Sequence, residues 1–176
     1  MMSASEPLAP SRPRPRPPRV HLHLRPVVAA DLPTLFQIEC DPAGNHLAGT
    51  HPRDVRTFNA RWAEIFVDAS VIPRAIVIDE GGAAGVIGLI CAFKQEGNDS
   101  IGYWIAREHW GKGYATRAIA LFLEEVPTRP LFARVAAHNA ASLRALERNG
   151  FAIASRRHAP ATERYVACER LLVVLV

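Results

Sequence analysis

Cysteine is scarce and dispersed: Cys40, Cys91 and Cys168 make an odd count with no C-x-x-C pairing. No disulfide framework or cysteine zinc cluster can be built from them, so a reducing, cytoplasmic compartment is expected. Each thiol is read as a small buried hydrophobe rather than a nucleophile. No run of about 18 apolar residues is present to span a bilayer. The basic N-terminal stretch has no apolar segment before a cleavage site, which argues against a secreted precursor. None of the seven histidines has metal-ligand spacing to a second ligand, so no metal is expected. An excess of one charge sign is also missing from most of the chain. Residues 26–176 hold 16 basic and 16 acidic side chains, so the net charge of +4 belongs to residues 1–25, with five arginines against Glu6.

What is present suits one domain: 176 residues, 49% apolar and 22% charged. Residues 1–19 carry six of the 14 prolines and the run Arg12-Pro13-Arg14-Pro15-Arg16-Pro17-Pro18-Arg19. With almost nothing apolar to bury, they are expected to form a disordered, polyproline-like arm outside a folded domain of residues 20–176. The arm reads either as a weak contact to RNA, the ribosome or another anionic partner, or as a solvated extension. It lacks interleaved aromatic residues for base stacking.

From Val20 the pattern alternates through Leu22 and Leu24, then Asp31 stands as an N-cap before Leu32, Leu35, Phe36 and Ile38 at helical spacing. Asp41 to Gly49 reads as a loop of turn formers. Thr50 and Pro52 signal a helix whose apolar face carries Val55, Phe58, Trp62, Ile65 and Phe66, ending near Ser70. Three strands follow, at 75–78, 86–93 and 100–105, joined by Asp79-Glu80-Gly81-Gly82 and Gly97-Asn98-Asp99 turns. A helix is expected over 115–126, stopped by Pro127, then a strand at 131–135. A helix at 140–149 closes on Gly150, and two strands lie near 151–156 and 166–175. The order predicts a single-domain mixed α/β (α+β) fold with a sheet of about six or seven strands and helices on both faces.

The most informative segment is Gly102-Tyr103-Trp104-Ile105-Ala106-Arg107-Glu108-His109-Trp110-Gly111-Lys112-Gly113-Tyr114-Ala115-Thr116, a glycine loop between a strand and an amphipathic helix. Such a loop aims backbone N–H groups and a helix N-terminus at one point, which suits phosphate or pyrophosphate; a plain structural turn also fits. A Walker A loop is excluded, because Lys112 precedes glycine and no upstream glycine has the needed offset. A dinucleotide fingerprint is disfavoured by Thr116 in its third position and by the preceding meander. A second block, Asn139 to Phe151, places Asn139 and Ser142 at the head of a helix that exits through Asn149-Gly150. Capping and an ordinary helix exit explain these residues as well as ligand contact does.

Together the two blocks resemble the GNAT N-acetyltransferase superfamily, whose acetyl-CoA pyrophosphate loop has the pattern [QR]-x-x-G-x-[GA]. Gly113 and Ala115 match the two small positions, and Trp110 departs from the Gln or Arg. The form Trp-Gly-Lys-Gly-Tyr-Ala-Thr preceded by Gly-Tyr-Trp-Ile resembles the branch of ribosomal-protein N-terminal (alanine) acetyltransferases. Asn139, Ser142 and Gly150-Phe151 match the later motif, and the resemblance covers about residues 20–175.

The resemblance implies a splayed pair of parallel strands ending near Ile105 and Val135, with acetyl-CoA as co-substrate between them. It implies cofactor contacts from Trp104, Ile105, Ala106, Trp110, Gly111, Lys112, Gly113, Tyr114, Ala115, Thr116, Asn139 and Ser142. Direct attack by an amine then needs an oxyanion donor, the Ile105 N–H, and a proton donor to sulfur, for which Ser142 is the available hydroxyl. The family's usual tyrosine position holds Leu146 here. The general base is open among Glu39, Asp41, Glu96 and Asp99, and His46, His51, His109 and His138. The acceptor is either a protein N-terminus or a small-molecule amine such as a polyamine, antibiotic or amino acid. A non-catalytic acetyl-CoA-binding protein is the alternative class, and monomer and homodimer are both open.

Overall fold

Ala75, Ile76, Val77 and Ile78 are four consecutive apolar residues, without the alternation of a strand that has one wet face. That pattern implies burial on both sides. In the computed structural model, which describes residues 20–80 and 82–176, all four are buried within β2 (Ile72–Glu80). The arm expected over residues 1–19 lies outside the described residues.

β2 pairs antiparallel with β1 (His21–Pro26) on one side and β3 (Ala83–Gln95) on the other, and β3 pairs antiparallel with β4 (Asn98–Ile105). The sheet continues through β5 (Leu131–Ala136), β7 (Cys168–Leu175) and β6 (Ala152–Ala159), in the order β1-β2-β3-β4-β5-β7-β6. Among the described strands only β4 and β5 run parallel. The mixed seven-stranded sheet with one parallel pair agrees with the architecture expected from the sequence.

Helices cover both faces because alternate residues of the central strands point to opposite sides. Ile76 and Ile78 pack with Ala118, Ile119 and Phe122 of α4 (Tyr114–Glu125) and Leu146 of α5 (Ala140–Glu147). Ala75 and Val77 pack on the other side with Leu35 and Ile38 of α1 (Leu32–Cys40) and Phe58 and Trp62 of α3 (Val55–Val67). Gly88 lets β3 and β4 approach: a Cβ there would stand 2.2 Å from the Trp104 carbonyl oxygen. No described helix is long and apolar enough to cross a membrane.

Three local expectations are corrected. The segment read as a loop from Asp41 to Gly49 contains α2 (Pro42–Ala48). Its turn formers act as helix ends: the Asp41 carboxylate accepts from the Ala43 and Gly44 N–H groups, and Gly49 closes the helix at φ 62°. Asp31, in turn, does not cap α1. Its carboxylate turns back to accept from Val28 N–H at 2.9 Å and from both guanidinium nitrogens of Arg25 at 2.7 and 2.8 Å. The third helix starts from Asp54, which accepts from Thr57 N–H, rather than from Thr50.

Those hydrogen bonds hold the Asp31 carboxyl below the usual carboxylate range, the Arg25 bond being the largest cause, although burial opposes it. A depressed carboxylate adds stability that is present above its unfolded value of about 3.9 and is lost as pH falls through the folded value. Asp31→Asn is therefore expected to cost about 1–3 kcal/mol at pH 7, discounted from a fully buried pair because Arg25 is about a third exposed. Urea unfolding should show that difference shrinking as pH is lowered below 4; a constant difference would refute the assignment.

Candidate active site

β4 and β5 share a single paired position, Ser100 with Phe132. Beyond it, β4 stays in register with β3 as far as Ile105 opposite Gly88, and β5 with β7 as far as Ala136 opposite Arg170. Each strand is thus held by its outer neighbour while the two diverge. A cleft of about 720 Å³ lies there, lined by Tyr103 and Trp104 of β4, Ala133 to Ala136 of β5, and Asn139, Ser142 and Leu146 around α5.

Successive strand residues turn their main-chain groups to opposite neighbours. The Ala106 N–H is bound to the Ile87 carbonyl on β3 at 2.7 Å, and the Trp104 carbonyl also faces β3 at Gly88. Of the three main-chain positions expected to face the opening, Ile105 alone turns its peptide groups toward it. Its carbonyl is taken by the Trp110 indole N–H at 2.7 Å, which leaves the Ile105 N–H as the donor toward the gap. Trp110, which stands where the family pattern has Gln or Arg, braces the end of β4.

The glycine loop leads into α4, and its residues Trp110 to Thr116 do not line that cleft. Gly111 and Gly113 have φ of 73° and 77°, and a Cβ built on either would meet no atom within 4 Å. Among the described residues no side chain caps α4, whereas Asp41, Asp54 and Asn139 cap α2, α3 and α5. The head of the 12-residue helix is thus left without a side-chain cap, behind two glycines with open space around them, an arrangement that fits a pyrophosphate. Tyr114 is a core residue at 9% exposure, so its side chain anchors the helix rather than reaching a ligand. The Thr116 carbonyl accepts from the Asn149 side chain, which ties α4 to α5.

Asn139 caps α5, its side-chain oxygen accepting from the Ser142 N–H at 3.0 Å. The Ser142 hydroxyl accepts from the Tyr103 hydroxyl at 2.9 Å across the cleft wall. Burial raises the Tyr103 pKa above its ordinary value, so the phenol stays protonated at neutral pH. Tyr103 belongs to the sequence motif, which by itself points to no role for it. Its strand parity places it on the α5 side, but only the packing of α5 reveals that it meets Ser142.

Among the carboxylates considered as bases, Glu39 and Glu96 line the cleft and Asp41 and Asp99 do not. Glu39 is bound by Arg53 at 2.9 Å, with Arg164 at 4.0 Å. Burial nonetheless raises its pKa, against the pull of both arginines. Asp41 is consumed as a cap, and Asp99 pairs with Lys94 at 2.7 Å. His46, His51, His109 and His138 lie off the cleft, while His158, which sequence reasoning left aside, lines it. Cys91 also lines it, but burial pushes its thiol up to about 12, too high for a thiolate nucleophile. Far from the cleft, on the edge pair of strands, Asp79 joins His21 and His23 with ligand atoms within 4.8 Å of one another, a proximity that residue spacing did not reveal.

A family model described as acetyltransferase (GNAT) domain matches residues 21–152. No curated protein matches the sequence. Among solved structures, the chain is similar to a ribosomal-protein-alanine N-acetyltransferase from Brucella melitensis (23% identity, TM-score 0.70, 88% of this chain and 99% of that one). It is also similar to Mycobacterium smegmatis RimJ in complex with CoA-disulfide (23%, 0.68, 91% and 85%). A third is spermidine N-acetyltransferase from Vibrio cholerae in complex with CoA and spermine (19%, 0.69, 87% and 95%). At these identities the structural likeness speaks for the fold.

Tyr103→Phe removes the partner of the part-buried Ser142 hydroxyl and is expected to cost about 0.5–1.5 kcal/mol. In alkaline difference spectra between the parent and this variant, the missing tyrosine should ionise above pH 10. A difference titrating at or below 10 would contradict the burial.

Proposed function

The chain belongs to the acetyltransferase (GNAT) family, and on that premise we propose that it moves an acetyl group from acetyl-CoA to a primary amine by direct attack in a ternary complex. The observation that carries this reading is the opening of the sheet beyond Ser100 and Phe132, beside a glycine loop that leads into an uncapped helix. Acetyl-CoA, when bound, supplies a thioester carbonyl already activated for attack by nitrogen.

The residues present fit that co-substrate. Amides from Gly111 to Thr116 would hold the pyrophosphate, with Lys112 adding charge at the rim. The Ile105 N–H, left pointing into the gap, would hold the pantetheine arm or the carbonyl oxygen on which negative charge develops. As the C–N bond forms and the C–S bond breaks, the sulfur needs a proton. Ser142 would give one, and the Tyr103 O–H would restore it through their hydrogen bond. Glu39 and Glu96 are the carboxylates available to take the proton lost by the amine. Positioning of the two reactants supplies the rest. For the acceptor, the branch-like motif supports a protein N-terminus, with a small-molecule amine as the second reading. The free cysteines, none paired, support a reducing cytoplasmic setting, and we assign the Arg/Pro stretch of residues 1–19 to an arm separate from the catalytic domain.

Calorimetric titration with acetyl-CoA is expected to give micromolar affinity, lost by at least about 100-fold in Gly113→Glu, which puts a strained, negatively charged side chain where the pyrophosphate would lie. No binding to the parent protein would overturn the transferase reading. Ser142→Ala is expected to lower kcat by about 10- to 100-fold with little change in acetyl-CoA affinity, as for loss of a positioned proton donor. Unchanged thiol release on any accepted amine would remove Ser142 from that role.

A further inference from the structure

The acceptor side of the cleft concentrates positive charge, although residues 26–176 carry no net charge. Glu96 sits on the β3–β4 turn at φ 51°, where it meets Arg134 at 2.6 Å and Arg157 at 3.6 Å. Glu39 is likewise shared by Arg53 and Arg164. Arg170 has no carboxylate partner among the described residues; it binds the Ala48 and Gly49 carbonyls and lies over the Tyr165 ring at 4.7 Å. All five arginines line the cleft, and the two glutamates are its only lining carboxylates among the described residues. The other two lining cations are neutralised by acids outside the lining, Lys94 by Asp99 and Arg61 by Glu64. Five guanidinium groups therefore face two carboxylates.

Arg134 makes the imbalance specific. Its side chain is 16% exposed; one nitrogen, Nη2, serves Glu96, while Nη1 is buried with no acceptor among the described residues. A buried charged donor without a partner is costly, and guanidinium pairs are suited to bidentate binding of carboxylate or phosphonate. A polyamine in the same place would add its charges to an existing excess.

Resting on the transferase reading, we propose that the acceptor is a primary amine that itself carries an anionic group, a carboxylate or phosphonate, held by Arg134 and Arg157 with Arg170 behind them. The anion could be that of a free amino acid or an acidic side chain near a peptide N-terminus. The two sources share this chemistry and differ in whether the α-carboxylate is free.

The test is a set of matched acceptors in a thiol-release assay, run after acetyl-CoA binding has been measured on the same protein. L-glutamate is compared with L-glutaminamide. A tetrapeptide amide beginning aspartyl-glutamyl is compared with its asparaginyl-glutaminyl counterpart, and spermidine is assayed alone. The expected result is kcat/KM about 30-fold or more higher for the acid member of at least one pair, with spermidine at background. The pair that discriminates identifies the source. Arg157→Gln, at an exposed position, should compress that ratio about tenfold with acetyl-CoA affinity retained, and Arg134→Gln should do so more strongly. Equal use of acid and amide, rejection of every acid, or preference for spermidine in a protein that binds acetyl-CoA overturns this inference and leaves the transferase reading standing. Failure to bind acetyl-CoA removes both.

Discussion

The feature on which the site depends is a single residue pair. β4 and β5 meet only where Ser100 faces Phe132, while each remains fully paired on its other side. Main-chain donors and acceptors along the opened edges must find other partners, because a buried unpaired peptide group costs about as much as a lost hydrogen bond. The chain answers this at one point by capturing the Ile105 carbonyl with the Trp110 indole. The Ile105 N–H is left to whatever enters. The gap is thus both an interruption in the sheet's hydrogen bonding and the means by which a ligand can complete it.

The two sides of that opening are built by different physics. Toward α4 the chain offers neutral dipoles: glycine backbone, first-turn amides and open space where side chains would otherwise stand. Toward α1, β6 and the β3–β4 turn it offers full charges, with guanidinium groups in excess over carboxylates. Preorganised dipoles can cradle an anion without the desolvation that buried charges require. Charged side chains at the acceptor end instead discriminate between partners by sign. Tyr103 and Ser142 join the halves, one hydroxyl on the sheet and the other on α5.

Regular elements were legible in the sequence wherever burial followed a simple period. The 3.6-residue pattern of α3 and α4, the glycine exit of α5 and the apolar run of β2 gave the order and type of those elements. Errors fell where one residue had two possible local uses. Asp31 could cap α1 or bind Arg25, and the salt bridge prevailed because Arg25 on β1 offers two donors at once. Asp41 to Gly49 carries the same residue types whether it forms a loop or a short capped helix, and packing of the segment settled the matter.

The sequence by itself determined the glycine loop, the amphipathic helix after it and the Asn139–Ser142 block, because each depends on residues close together in the chain. The alternation of β4 likewise set which faces Tyr103 and Trp104 would occupy. Only the tertiary structure decided that Tyr103 meets Ser142, that Glu39 rather than Asp41 lines the cleft, and that arginines from distant segments gather on its acceptor side. Those pairings join residues tens of positions apart. Neutral totals over residues 26–176 conceal them, since a charge count averages over a surface whose local field depends on which side chains the fold brings into one cleft.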